Sequence, residues 1–202
     1  IQDANFESTP SGCDVTTGSL VIDEPDELLI SSLAAEEILC NADETSIITG
    51  SITGGTANYS VDLILDSQVV QSSTDNTGSI EFTGLGAGTY TVQVSDANIA
   101  TQGAGCYVEQ NITISEPDQL VLSGSTSFYP SEEESPNFGV TEYGESDGFI
   151  NISVSGGTTD YSYNWTTNDG VVPNGQENSQ DLSGLVAGTY MVVITDSNGC
   201  TI

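Results

Sequence analysis

Ile52-Thr53-Gly54-Gly55-Thr56-Ala57-Asn58-Tyr59-Ser60 returns 102 residues later as Val154-Ser155-Gly156-Gly157-Thr158-Thr159-Asp160-Tyr161-Ser162. A second phrase, Gly84-Leu85-Gly86-Ala87-Gly88-Thr89-Tyr90, returns as Gly184-Leu185-Val186-Ala187-Gly188-Thr189-Tyr190 at an offset of 100. Asp3-Ala4-Asn5 and Cys13 match Asp96-Ala97-Asn98 and Cys106 at an offset of 93. Ile22-Asp23-Glu24-Pro25-Asp26-Glu27-Leu28 matches Ile114-Ser115-Glu116-Pro117-Asp118-Gln119-Leu120 at an offset of 92. A period of 92 to 102 residues is too long for a solenoid unit and suits a β-sandwich domain. The expected division is 1–25 as the end of a preceding repeat, 26–117 as a complete repeat, and 118–202 as a repeat truncated before its last strand.

Within each repeat the apolar pattern has a period of two, the signature of strands. Ile150, Ile152 and Val154 alternate with Asn151, Ser153 and Ser155 before the Gly-Gly turn. Tyr161, Tyr163 and Trp165 alternate with Ser162 and Asn164, and Val108, Gln110, Ile112 and Ile114 form a closing strand. Tyr190, Val192 and Ile194 alternate with Met191, Val193 and Thr195, a strand expected to be buried on both faces. No segment has a convincing helical period; Ala34-Ala35-Glu36-Glu37 allows one turn at most. The fold expected is all-β: tandem immunoglobulin-like antiparallel sandwiches, end to end. Leu85-Gly86-Ala87-Gly88-Thr89-Tyr90 reads as the corner entering strand F, where the Tyr hydroxyl bonds back to upstream backbone. Tyr90, Tyr190 and Trp165 are therefore assigned to the core, with Leu63 in the place of Trp165 in the middle repeat.

Composition removes most functional classes. The 202 residues include 30 Asp or Glu and no Lys, Arg or His, a formal charge of −30. With no cation to neutralise phosphates, nucleic-acid binding is excluded, and so is attraction to anionic lipid. Acid–base catalysis would fall to carboxylates, Tyr or Cys, and Ser–His–Asp or Cys–His arrangements cannot be built. An enzyme is not expected, because no acidic pair stands out from the repeat pattern as a glycosidase pair would. No apolar run approaches the roughly 20 residues of a membrane span. No basic and apolar leader follows Ile1, so the chain reads as an interior piece of something longer.

Taken together, Cys40-Asn41, the Gly-Gly-Thr-x-x-Tyr-Ser stretch, Gly-Leu-x-Ala-Gly-Thr-Tyr, Thr195-Asp196-Ser197-Asn198-Gly199-Cys200 and the closing Glu-Pro resemble the SprB repeat of Bacteroidota cell-surface proteins. The ordered set is found twice and covers nearly the whole chain. The last repeat departs from it, with Glu142 opposite Cys40 and an extra acidic stretch, Ser131-Glu132-Glu133-Glu134-Ser135-Pro136. The resemblance implies a very large secreted protein of tandem repeats, exported by the type IX system and displayed as a filament in gliding motility or attachment. Its partners would be adjacent repeats, surface polysaccharide or other filament subunits.

Four Cys in a secreted setting point to disulfides. Cys40–Cys106 is the expected pair, both ends lying within the complete repeat, with Cys13 pairing upstream and Cys200 lacking its repeat-mate. Cys13–Cys40, a staple between adjacent repeats, is the rival, and free thiols are the third case. The carboxylates have two readings. One is a solvated acidic surface that keeps filaments apart. The other is calcium at the repeat junctions, held by Asp23, Glu24, Asp26 and Asp96 at one and by Glu116, Asp118 and Asp196 at the next. No other cofactor is expected. The competing functional class is a carbohydrate-binding module presenting Tyr163 and Trp165.

Overall fold

The computed structural model describes residues 19–98, 107–129 and 138–202. Twelve strands and no helix are found among the described residues. Seven make the first sandwich: β1 (Leu29–Ala35), β2 (Ser46–Thr53), β3 (Tyr59–Leu65), β4 (Gln68–Asp75), β5 (Ser79–Leu85), β6 (Gly88–Ser95) and β7 (Tyr107–Ile114). They form two antiparallel sheets ordered β1-β2-β5 and β4-β3-β6-β7. The period-two pattern sets which face is inside, because successive side chains leave a strand on opposite faces. Tyr59, Val61 and Leu63 of β3 and Tyr90, Val92 and Val94 of β6 meet Ile48, Ile52, Ile80, Phe82 and Leu85 from the facing sheet.

The second sandwich is built from β8 (Val121–Thr126), β9 (Gly148–Ser155), β10 (Ser162–Thr167), β11 (Leu182–Leu185) and β12 (Tyr190–Thr195). Its sheets are ordered β11-β9-β8 and β10-β12, and Ile194 exchanges main-chain bonds with Ile202 at 2.9 and 3.0 Å. The repeat survives in the register. Trp165 lies opposite Val192, as Leu63 lies opposite Val92 in the first sandwich. In place of β4, the segment around Pro173 and Glu177 covers β10, and the Trp165 amide donates to the Glu177 carbonyl at 3.0 Å. Trp165 is only 5% exposed, and its indole N–H reaches the Ser179 carbonyl at 2.8 Å. The indole is thus buried without leaving its one donor unpaired.

Thirteen buried apolar residues form the first core and five the second, among the described residues. The second sandwich therefore leans heavily on Trp165. Two sequence expectations are corrected. β12 is buried on one face only, Met191 and Val193 being 46% and 49% exposed on the other. Tyr190 packs against the second core but is half-buried, whereas Tyr90 is fully buried. Both hydroxyls make the expected corner bond, Tyr90 to the Gly86 carbonyl at 3.0 Å and Tyr190 to that of Val186 at 2.9 Å.

The Gly-Gly turn between the second and third strands of each sandwich has a specific cause. Gly54 and Gly156 have φ of +72° and +77°, and a Cβ on either would fall 1.9 Å from the carbonyl oxygen of Glu27 or Gln119. Only glycine admits that approach of the preceding linker. It lets the amides of Gly55 and Gly157 donate to the Asp26 and Asp118 carbonyls, both at 2.7 Å. The repeated turn therefore fixes how the chain enters each sandwich.

Candidate functional site: the joint between the sandwiches

The strand directions decide which loops can meet. Ser46 at the start of β2 lies opposite Leu85 at the end of β5, so the β1–β2 loop shares a pole with the β5–β6 turn. β6 then runs from Gly88 to Ser95, carrying the β6–β7 loop to the opposite pole. The corresponding loop of the second sandwich, Asp196–Cys200 after β12, stands at its entry pole beside the linker Ser115–Leu120. The joint is therefore built from the β1–β2 loop of one sandwich and the loop after β12 of the next.

Cys40 and Cys200 form a disulfide across this joint, with Cα atoms 5.6 Å apart and 160 residues between them in sequence. Three hydrogen bonds surround it. The Asn41 side-chain amide donates to the Pro117 carbonyl at 3.0 Å, the Ala42 amide to Glu116 Oε2 at 2.6 Å, and the Asn198 side-chain amide to the Leu39 carbonyl at 3.1 Å. Asn198 also donates to Thr158 Oγ1 at 3.0 Å, tying the clasp to the Gly-Gly turn. A cavity of about 490 Å³ lined by Asn41, Asp43, Asp118 and Cys200 opens beside the bridge.

The Cys40–Cys106 pairing expected from the sequence is overturned, because Cys40 is bonded to Cys200. The physical reason lies in the poles. Within one sandwich the β1–β2 and β6–β7 loops are separated by the length of an eight-residue strand, on the order of 25 Å. A disulfide needs Cα atoms within about 7 Å. Cys13–Cys40 is displaced by the same bond, although a link between neighbouring repeats is what the structure has. Cys13 and Cys106 themselves lie outside the described residues.

The junction carboxylates are placed differently from a cation cage. Asp196 is buried and accepts from the amides of Thr158 at 2.8 Å, Asn198 at 2.9 Å and Cys200 at 2.8 Å. These bonds, that from Thr158 foremost, hold its carboxyl below the usual aspartate value. Asp96 is buried likewise and accepts from Thr56 at 2.9 Å and Asn98 at 3.0 Å. Glu116 is engaged by Ala42, and Asp23, Glu24, Asp26 and Asp118 are exposed. Glu24, Asp26 and Asp96 line one pocket at the entry pole of the first sandwich, but no cluster of three or more His, Cys, Asp or Glu suited to a metal occurs among the described residues. In both repeats the Asp-x-Asn phrase is a loop clamp, its carboxylate turned onto main-chain amides.

The aromatic platform of a carbohydrate-binding surface is also absent from the place the sequence offered. Trp165 is buried, and Tyr161 and Tyr163 pack against the same core. Sequence reasoning missed Leu39, Asn41 and Asn198 as joint residues, and placed Glu116 at the joint as a metal ligand where it accepts from the Ala42 amide. The signal was there in Cys40-Asn41 standing between the first two strands, on the pole that faces the next repeat.

No protein family and no curated protein matches this chain. Solved structures similar to this chain include two. The N-terminal eight Ig domains of Down Syndrome Cell Adhesion Molecule, isoform 1.30.30, match with a TM-score of 0.45 and 15% identity over 87% of this chain and 24% of that one. The chain thus spans about a quarter of that structure. The fibronectin(III)-like modules of Clostridium thermocellum CbhA match over 86% of this chain and 88% of theirs, with 14% identity and a TM-score of 0.29.

Proposed function

We propose that this chain is a structural and adhesive repeat segment of a very large secreted cell-surface filament protein of the SprB-repeat type, serving gliding motility or surface attachment after type IX export. The observation that carries the reading is the Cys40–Cys200 bridge between two sandwiches, with its flanking hydrogen bonds. A filament that presents adhesive surface at a distance must resist bending at its joints. A chain without Lys, Arg or His cannot do that with ion pairs between side chains. Covalent closure and hydrogen bonds to main-chain groups are the means left to it, and they are the means found at this joint. The disulfide suits an oxidising, extracellular setting. The acidic surface keeps neighbouring filaments apart. Adjacent repeats are the immediate partners, with surface polysaccharide or other filament subunits bound by the assembled array.

An antibody against this segment tests the reading on unbroken source cells. Surface labelling and blocked attachment are expected. Labelling only after permeabilisation would contradict it.

A further inference from the structure

Asn198, which clasps the joint, is followed by Gly199. Asparagine is a chemically labile side chain. It is most labile before glycine, which has no side chain to hinder ring closure onto its nitrogen. Asn198 and Gly199 are both exposed, so water reaches them. Yet both reacting groups are engaged. The Asn198 side-chain amide donates to the Leu39 carbonyl at 3.1 Å and to Thr158 Oγ1 at 3.0 Å, and the Gly199 amide donates to the Asp196 carbonyl at 3.1 Å. Ring closure requires the carboxamide carbon to turn onto the Gly199 nitrogen, and so requires these bonds to break. One of them crosses the joint. The equivalent asparagines of the other repeats, Asn5 and Asn98, are followed by Phe6 and Ile99, whose side chains hinder the same step.

We infer that Asn198 is a deamidation site guarded by the joint: clasped, it keeps its amide, and unclasped, it loses ammonia and the clasp with it. The Gly199 nitrogen, its proton passed to hydroxide, attacks Asn198 Cγ. A C–N bond forms, the Cγ–Nδ2 bond breaks, and Nδ2 leaves as ammonia with a proton from water. Water then opens the cyclic imide at either carbonyl, giving aspartate or isoaspartate. Hydroxide and water are the only co-reactants, and nothing is oxidised or reduced. Neither product has a side-chain donor for the Leu39 carbonyl. Each adds a negative charge to a joint whose cavity is already lined by Asp43 and Asp118. Isoaspartate also lengthens the main chain two residues before Cys200, against a bridge that needs its Cα atoms about 4.4–6.8 Å apart. A joint left open is thus converted, without an enzyme, into one that closes less readily.

The test stores the whole 202-residue chain at neutral pH and physiological temperature, oxidised or with reductant, and follows Asn198 and Asn174 by peptide mass spectrometry. Asn174-Gly175 is the internal reference, because its glycine amide is bonded within the second sandwich, to Glu177 Oε2 at 2.8 Å. Reduction should speed deamidation at Asn198 about fivefold, the weight of one neutral hydrogen bond, and leave Asn174 unchanged. The variant Cys200→Ser, in which the bridge cannot form, should match the reduced chain without any reductant. When the stored, reduced chain is reoxidised, molecules modified at 198 should be depleted among those that re-form Cys40–Cys200. Equal rates at Asn198 with the bridge open and closed would overturn the proposal. Parallel acceleration at Asn174 would mean general loosening and would overturn it too, as would full re-formation of the bridge in modified molecules.

Discussion

Asn198 donates one side-chain hydrogen bond to Thr158 within its own sandwich and one to the Leu39 carbonyl of the preceding sandwich, 159 residues away in sequence. One carboxamide thus holds the loop after β12 and aims it at the joint. Cys200, two residues on, is delivered to Cys40 by that loop. Removing the amide should make the bridge harder to close without disturbing either sandwich. For Asn198→Ala, a neutral hydrogen bond of about 1 kcal/mol corresponds to roughly a fivefold drop in the equilibrium for closing Cys40–Cys200 against glutathione. Thiol trapping across a glutathione series measures it. An unchanged equilibrium would mean that Asn198 does not shape the joint.

Reduction should loosen the joint and leave the sandwiches folded. The chain-entropy estimate for a loop of 160 residues is about 5 kcal/mol, an upper figure for a chain unfolded throughout. Once both sandwiches are folded, the bridge closes only the short linker Ser115–Leu120. Most of its effect therefore falls on the inter-sandwich angle. Small-angle scattering should show a wider spread of dimensions after reduction, with the same sheet signal by circular dichroism. Loss of sheet structure on reduction would contradict this division.

Trp165→Ala should cost about 3–5 kcal/mol, the usual range for emptying a buried aromatic site. With five buried apolar residues in its described core, the second sandwich cannot absorb that loss, while the first does not touch the residue. Urea unfolding should separate into two transitions, only one of them shifted. Tyr90→Phe, which removes the hydroxyl bonded to the Gly86 carbonyl, should cost the first sandwich about 1 kcal/mol. A single, uniformly shifted transition for Trp165→Ala would show that the cores are not independent.

Much of this was legible from the residues. The offsets of 102 and 100 gave two sandwiches with matching registers, because alternation and the Gly-Gly turn are local properties that tertiary context did not override. Met191 and Val193 misled, since an apolar side chain on the outer face costs little and alternation alone cannot tell a half-buried strand from a buried one. Cys40 and Asp196 misled for another reason. Both belong to a joint made by loops at opposite ends of different repeats, and comparing a repeat with itself does not reveal that contact. Tracing strand direction from Ser46 to Ser95 would have placed the two loops at opposite poles and excluded the intra-repeat bridge.

The clamp at Asp196 predicts a pH dependence. Its carboxyl is held below 3.8 by main-chain amides, that of Thr158 first. A group whose folded value is depressed gives its full stabilisation above the unfolded value, about pH 4, and loses it as pH falls through the lower folded value. Asp196→Asn should therefore be less stable than the unaltered chain near neutrality. The gap should narrow below about pH 4 and close at more acid values. Urea midpoints measured across that range check it, and a gap independent of pH would remove the role assigned to the charge.

The bond between Cys40 and Cys200 closes the joint, and the chain allows a direct measurement of it. Trypsin finds no site, but a protease cutting after Asp and Glu should release Ile38–Asp43 with Cys40 and Ser197–Ile202 with Cys200, while Cys13 and Cys106 fall on other fragments. Mass spectrometry of the unreduced digest should find those two peptides joined, and separated by reductant. Cys40 joined to Cys106 or Cys13, or recovered as a free thiol, would contradict the account.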